Sequence, residues 1–153
     1  MNPFDRTRIK YLRDAKNSKT EVFFMKHFIC RECGNIVATV NFTGAPLFCC
    51  KRAMEELTPK PDADRGKHTP AIKCCGERVT VRVGEEGAPH PQTKEHLVEW
   101  VVLVTDRGSQ RKMLSPSGKP EVTFALTDGE KPISAFAYCN LHGLWVTEAE
   151  QKA

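Results

Sequence analysis

Soft, metal-seeking side chains recur in this sequence in groups. Cys139 and His142 stand three residues apart within Ala137-Tyr138-Cys139-Asn140-Leu141-His142-Gly143-Leu144-Trp145. A thiolate and an imidazole at that spacing, in a turn that Asn140 and Gly143 favour, can reach one point. The chain has five histidines, and three of the others fall in two short Pro-containing segments, Lys67-His68-Thr69-Pro70 and His90-Pro91-Gln92-Thr93-Lys94-Glu95-His96. Four histidines and one cysteine offer four nitrogens and one sulfur, a mixture that suits iron.

A second group lies upstream in Cys30-Arg31-Glu32-Cys33-Gly34-Asn35 and Cys49-Cys50. Two thiolates with two residues between them wrap one ion, and Gly34 permits the tight turn that follows. Fifteen residues separate Cys33 from Cys49, enough for a hairpin that returns the second pair to the first. Cys30, Cys33, Cys49 and Cys50 can therefore close a tetrahedral four-sulfur site, for which zinc or iron fits by ligand type. Adjacent cysteines cannot repeat the first knuckle and should distort the tetrahedron, which leans the reading towards a redox iron. A zinc staple for a small module is the alternative. Cys74-Cys75 falls outside both groups and reads as incidental thiols, and His27 reads as a surface or local structural residue without a role.

The elements that must carry these groups are strands. Ile36 to Phe42 reads as a strand and Thr43-Gly44-Ala45-Pro46 as a turn. Met54-Glu55-Glu56-Leu57 reads as a turn inside a connector, and Thr58-Pro59-Lys60-Pro61-Asp62 as a linker by composition. From residue 68 onward the pattern is all-β. Arg78 to Val83 alternates, and Leu97 to Val104 is nearly continuously apolar, as in a central strand covered on both faces. Arg111–Leu114, Val122–Leu126, Ile133–Cys139 and Leu144–Val146 follow, with turns at Asp106-Arg107-Gly108, Pro116-Ser117-Gly118 and Asp128-Gly129. This spacing predicts a β-sandwich whose histidines lie at strand ends or in loops. Trp100, Trp145 and Phe124 read as core.

Composition narrows the function classes. The 153 residues permit one ordinary domain or two small ones. The formal net charge is +4, but residues 1–20 hold six Lys/Arg and two Asp, so the excess belongs to the N-terminal extension and the rest is neutral. Nucleic-acid binding by the body of the protein is not expected. No stretch approaches 18 apolar residues, so no transmembrane helix is expected, and the basic N-terminus has no apolar run of the secretory type. Seven cysteines, grouped and odd in number, point to metal ligation in a reducing compartment rather than to disulfides.

On these residues the chain resembles a known family. Cys30-x-x-Cys33-Gly34-Asn35 with Cys49-Cys50 is similar to the desulforedoxin-type, rubredoxin-like module. Lys67-His68-x-Pro70, His90-Pro91 through His96, and Tyr138-Cys139-Asn140-Leu141-His142-Gly143-Leu144-Trp145 are similar to superoxide reductase. Together they resemble desulfoferrodoxin, the two-iron form of that enzyme, over about residues 25–147.

The resemblance implies an all-β protein with a rubredoxin-like module (25–58) and an immunoglobulin-like β-sandwich (59–153). Residues 1–24 lie outside it and, weakly periodic and charged, read as a flexible basic extension. It implies two irons per chain, one held by the four thiolates, where zinc is the alternative. The other would be bound equatorially by His68, His90, His96 and His142 and axially by Cys139, with the sixth position open to superoxide. Lys67 matches the family lysine that flanks this opening. The implied activity is one-electron reduction of superoxide to hydrogen peroxide, with electrons from a rubredoxin-like donor, in a cytoplasmic homodimer. The competing reading is a non-catalytic electron carrier or metal-binding protein. One departure stands out: Gly66 occupies the position before the lysine where the family often has a glutamate.

Overall fold

The computed structural model describes residues 25–60 and 66–150, so the extension expected over residues 1–24 lies outside the described residues. The described residues form strands and no helix. Three strands build a small N-terminal sheet. β1 (His27–Ile29) runs antiparallel to β2 (Ile36–Ala38) on one side and to β5 (Glu55–Glu56) on the other. Between β2 and β5, the short strands β3 (Phe48–Cys49) and β4 (Arg52–Ala53) pair in a tight hairpin.

Two larger sheets follow. One contains β6 (Pro70–Cys75), β7 (Arg78–Glu85) and β11 (Glu121–Ala125) in the order β11-β7-β6, with the short β8 (Ala88–Pro89) also paired to β7. The other has the order β10-β9-β12-β13, built from β9 (Val98–Thr105), β10 (Gly108–Met113), β12 (Pro132–Cys139) and β13 (Gly143–Glu148). Alternation along the strands sends one set of side chains between the sheets. Val79, Val81 and Val83 of β7 and Phe124 of β11 meet Val98, Val101 and Leu103 of β9 and Ala135 and Ala137 of β12. Each of the Val, Leu and Phe side chains, when fully buried, contributes roughly 1.5–3 kcal/mol.

The opposite face of the β10-β9-β12-β13 sheet is also covered. Trp100, Val102, Phe136 and Tyr138 pack with Ile29 and Leu57 of the N-terminal segment. This second core explains the nearly continuous apolar run of β9, broken by Glu99, since odd and even residues are both needed inside. His27 belongs to this core rather than to the surface. It is 3% exposed and stacks on Trp100 with ring centroids 5.1 Å apart. Trp100, Trp145 and Phe124 are buried, as expected.

Three local readings differ from the structure. The strand beginning at Ile36 stops at Ala38 instead of continuing to Phe42. Glu55–Glu56, expected inside a turn, pairs with β1 and completes the small sheet, because a long-range partner outweighs a weak local preference. The linker is not free of the sandwich either: Lys60 forms an isolated parallel bridge with Trp145. β6 had no counterpart in the sequence pattern; it forms a hairpin with β7 across Gly76-Glu77, with Gly76 at φ 59°.

Candidate metal centres

β12 delivers Cys139 to one end of the sandwich. Ala135, Ala137 and Cys139 share the inward-facing row, so the thiol lies where the row runs out of apolar partners, 1% exposed. The register between β12 and β9 slips beside it: Tyr138 pairs with Trp100, but Cys139 pairs with Val98. Such a bulge re-aims side chains next to functional sites. Gly143, with φ 81°, closes the turn that brings His142 back over Cys139.

His68, His96, Cys139 and His142 offer ligand atoms that all lie within 4.8 Å of one another. His68 Nε2 is 2.8 Å from His142 Nδ1, and Cys139 Sγ is 3.5 Å from that same Nδ1. Ligands at right angles on one ion, with bonds of about 2.1 Å to nitrogen and 2.3 Å to sulfur, would be separated by about 3 Å. The observed separations are of that size. His90 lies outside this mutual 4.8 Å group. Its ring nevertheless adjoins those of His68 and His96, at centroid distances of 4.9 and 4.7 Å.

The proton positions also suit metal binding. His90 Nδ1 is 2.6 Å from the Pro91 carbonyl oxygen, which can only accept, so Nδ1 carries the hydrogen. That leaves Nε2 with its lone pair, and this atom is buried without a hydrogen-bond partner, as is His96 Nε2. Buried polar atoms are seldom left so, and a cation would satisfy both. Burial, with the neighbouring imidazoles, pushes His68 down to about 4. Burial also lowers His90 and His96. These three imidazoles therefore favour the neutral form, ready to donate to a metal near pH 7.

The loop from 90 to 97 is held by its own side chains. Gln92 Oε1 accepts the Val98 N–H at 2.7 Å, and Thr93 Oγ1 accepts that of His96 at 3.0 Å. Gly84, at φ 94°, lets the His90 backbone approach; a Cβ there would meet the His90 nitrogen at 2.6 Å. Lys67 is exposed beside the cluster, and its charge contributes to lowering His96. Gly66 precedes it. Lys60 Nζ also donates to the His142 carbonyl oxygen at 3.1 Å. Three contributors to the site thus carry no ligand-type signal in the sequence: Gln92, Gly84 and Lys60. Only Gln92, between His90 and His96, is marked by its position; Gly84 lies outside the ligand segments, and Lys60 is distant in sequence from His142.

Cys30, Cys33, Cys49 and Cys50 converge in the same way, all four sulfurs lying within 4.8 Å of one another. Cys33 and Cys49 sulfurs are 3.6 Å apart, and those of Cys49 and Cys50 are 4.0 Å apart. A tetrahedron with metal–sulfur bonds of about 2.3 Å has edges of about 3.8 Å. The adjacent pair is accommodated by the β3–β4 hairpin, whose two turn residues, Cys50 and Lys51, both have positive φ of 50° and 61°. Backbone N–H groups, that of Cys33 foremost, bring the Cys30 thiol down to about 7. Hydrogen bonds with the Cys33 and Cys30 sulfurs push Cys50 up to about 12. One thiolate thus opposes ionisation of the next, and a central cation would relieve the opposition. Cys74 and Cys75 lie exposed on β6, away from both groups.

Comparison with known proteins gives this arrangement its relatives. The desulfoferrodoxin family model matches residues 60–148, which include every residue of the histidine-rich cluster. The chain belongs to the desulfoferrodoxin family. The desulfoferrodoxin of Syntrophotalea carbinolica is 38% identical over 120 residues, covering 78% of this chain and 92% of its own. That of Nitratidesulfovibrio vulgaris is 36% identical over 121 residues, covering 78% and 93%. A Pyrococcus horikoshii protein named superoxide reductase is 34% identical over 113 residues, covering 63% of this chain and 97% of its own. Among solved structures, the superoxide reductase from Treponema pallidum superposes with a TM-score of 0.70 at 34% identity, covering 81% of this chain and 98% of that one. As a desulfoferrodoxin-family member, the chain is all-β, with a four-cysteine cluster fitting a rubredoxin-like module and a second cluster of three histidines and a cysteine. Both are compatible with metal binding.

Proposed function

We propose that this protein is a superoxide reductase that carries one-electron reduction of superoxide to hydrogen peroxide at the His68, His90, His96, His142 and Cys139 site. The observation that carries the reading is the convergence of three histidines and a buried thiol at ligand spacing, beside a fourth histidine with a buried, unpartnered Nε2. The metal in this reading is iron at both centres. Iron at the histidine site would supply the single electron and be restored by a rubredoxin-like donor. The balance is one superoxide, one electron and two protons to one hydrogen peroxide.

The chain's own residues suit that task. Neutral imidazoles leave a bound cation its positive charge, which favours an anionic substrate. Cys139, shielded from water, keeps its sulfur for the metal. Lys67, exposed at the mouth, adds a point charge that draws superoxide in. His142 is exposed, so protons can arrive from solvent. With Gly66 before Lys67, the segment lacks a carboxylate that could reach the metal from that position. The oxidised centre should therefore take water, hydroxide or an added anion.

The reading divides the chain into an extension (1–24), a metal module (25–58) and a sandwich domain (59–153), working as a cytoplasmic homodimer. The family match over residues 60–148 supports the sandwich domain in this division.

The test is metal content with visible spectra of oxidised and reduced protein, for wild type and Cys139→Ser, followed by the peroxide yield per superoxide consumed. Two irons with two separable chromophores, one lost with Cys139, and one peroxide per superoxide are expected. Half that peroxide yield would indicate dismutation. A histidine-site spectrum that ignores azide would point to a closed, non-catalytic centre.

A further inference from the structure

The side chain of Lys60, in the linker, reaches the histidine site. Its backbone is fixed first. Lys60 N–H donates to the Leu144 carbonyl at 2.9 Å, and its carbonyl accepts the Val146 N–H at 3.1 Å. It stands between Pro59 and Pro61, and a residue before proline is restricted to extended conformations, which suits this bridge. The side chain then has two partners. Its Nζ donates to the His142 carbonyl oxygen at 3.1 Å and lies 4.9 Å from the centre of the Trp145 ring. Trp145 in turn stacks on His68, with centroids 4.9 Å apart and planes 15° from parallel. One cation thus touches the backbone of one proposed ligand and the aromatic platform beneath another. His68 and His142 are themselves neighbours, with centroids 4.4 Å apart.

We infer that Lys60 is a positioning residue for the histidine site. It locks the His142 turn and the His68–Trp145 stack together, and its fixed positive charge favours the reduced state of the metal there. The inference rests on the reading of this cluster as an iron centre. The physical reason is electrostatic. Lys60 is exposed, but its side chain is held in place against His142 and Trp145. A cation fixed so close to two ligands disfavours the more positive oxidised metal and so raises the reduction potential. Lys67, which precedes His68 in the chain and is also exposed, acts instead on the approaching anion. Because Lys60 also ends the segment that carries the tetrathiolate module, its contact ties that segment's exit directly to the histidine site.

The backbone bridge uses only main-chain groups, so side-chain replacement leaves it in place. Lys60→Met keeps an apolar stem over Trp145 while removing the charge and the donor, and Lys60→Arg restores both. The experiment is redox titration of the holoprotein by visible spectroscopy, reading both centres in the same sample. Lys60→Met should shift the histidine-site potential downward and move its thiolate-to-iron absorption band, with the tetrathiolate potential unchanged. Lys60→Arg should return both readings towards wild type. An unchanged histidine-site potential in Lys60→Met, with iron bound, overturns the inference alone, as does a shift that Lys60→Arg does not reverse. Wild-type protein that takes up no iron at the histidine site overturns the proposed function and this inference together. If Lys60→Met loses iron, Lys60→Gln is titrated in its place, with the same outcomes deciding.

Discussion

Asn140 and Leu97 exchange two hydrogen bonds: the Leu97 N–H donates to Asn140 Oδ1 at 3.0 Å, and the Asn140 N–H donates to the Leu97 carbonyl at 3.2 Å. Asn140 Nδ2 also donates to the Glu95 carbonyl at 2.9 Å. Each of these residues adjoins a proposed ligand, Asn140 after Cys139, and Glu95 and Leu97 on either side of His96. The side chain therefore clamps two ligand segments that are far apart in sequence. Asn140→Ala leaves the buried Leu97 N–H without its partner, which costs about 1–3 kcal/mol. The expected result is lower stability by that amount and a roughly 10–100-fold weaker hold on the histidine-site metal. Chelator competition, followed through the two spectra, checks this. Equal loss from both centres would show a general unfolding instead.

Gly84 makes a second, purely steric prediction. A Cβ at this position would lie 2.6 Å from the His90 nitrogen and 2.9 Å from the Ala88 carbonyl oxygen, and the backbone sits at φ 94°. Gly84→Ala must displace the His90 segment, and strain of this kind costs on the order of 1–3 kcal/mol. Denaturant unfolding and iron content should both register it. A variant with wild-type midpoint and spectrum would mean that the β7–β8 turn relaxes without moving His90.

His27 predicts a pH dependence. Burial foremost, and the nearby Arg111 charge, hold it down to about 4 from an ordinary 6.5. Between these values the unfolded chain binds a proton that the native state refuses. The stabilisation from neutral His27 is therefore complete above about pH 6.5 and is lost as pH falls towards 4. The slope reaches at most about 1.4 kcal/mol per pH unit. His27→Phe keeps a ring against Trp100 and removes the titration. Its melting temperature should gain on wild type as pH is lowered from 7 to 4.5; parallel profiles would remove His27 from the acid response.

Lys67 predicts a salt effect. Lys67→Gln should slow the reaction with superoxide by roughly 2- to 10-fold at low ionic strength and flatten its salt dependence. Fast mixing or pulse radiolysis at two salt concentrations measures both. An unchanged rate with unchanged salt dependence would leave Lys67 as a solvated surface lysine.

The chemistry-bearing residues were legible in the sequence because ligand types are few and their grouping is local. Cys30 with Cys33, and Cys139 with His142, announce themselves by spacing. The sandwich strands were legible for a similar reason, since alternation such as that of Arg78–Val83 is a local property. What could not be read depended on distant partners. His27 is buried by Trp100 and Phe136, far along the chain. Glu55–Glu56 becomes a strand only because β1 needs a second edge. β6 carries Lys73, Cys74 and Cys75, mostly exposed at the edge of its sheet, and so shows no apolar period. Lys60 looked like linker because its contacts lie on β13 and in the turn before it.

The sheet of β10, β9, β12 and β13 serves as a party wall, papered with apolar side chains on both sides. Its far side, Trp100, Val102, Phe136 and Tyr138, is kept dry by the small N-terminal sheet. A shortened descendant that discarded residues before 59 would bare this surface to water and tend to self-associate. Such a lineage would need polar residues at those four positions, or a new partner to cover them, so losing the N-terminal sheet is not a neutral change for this protein.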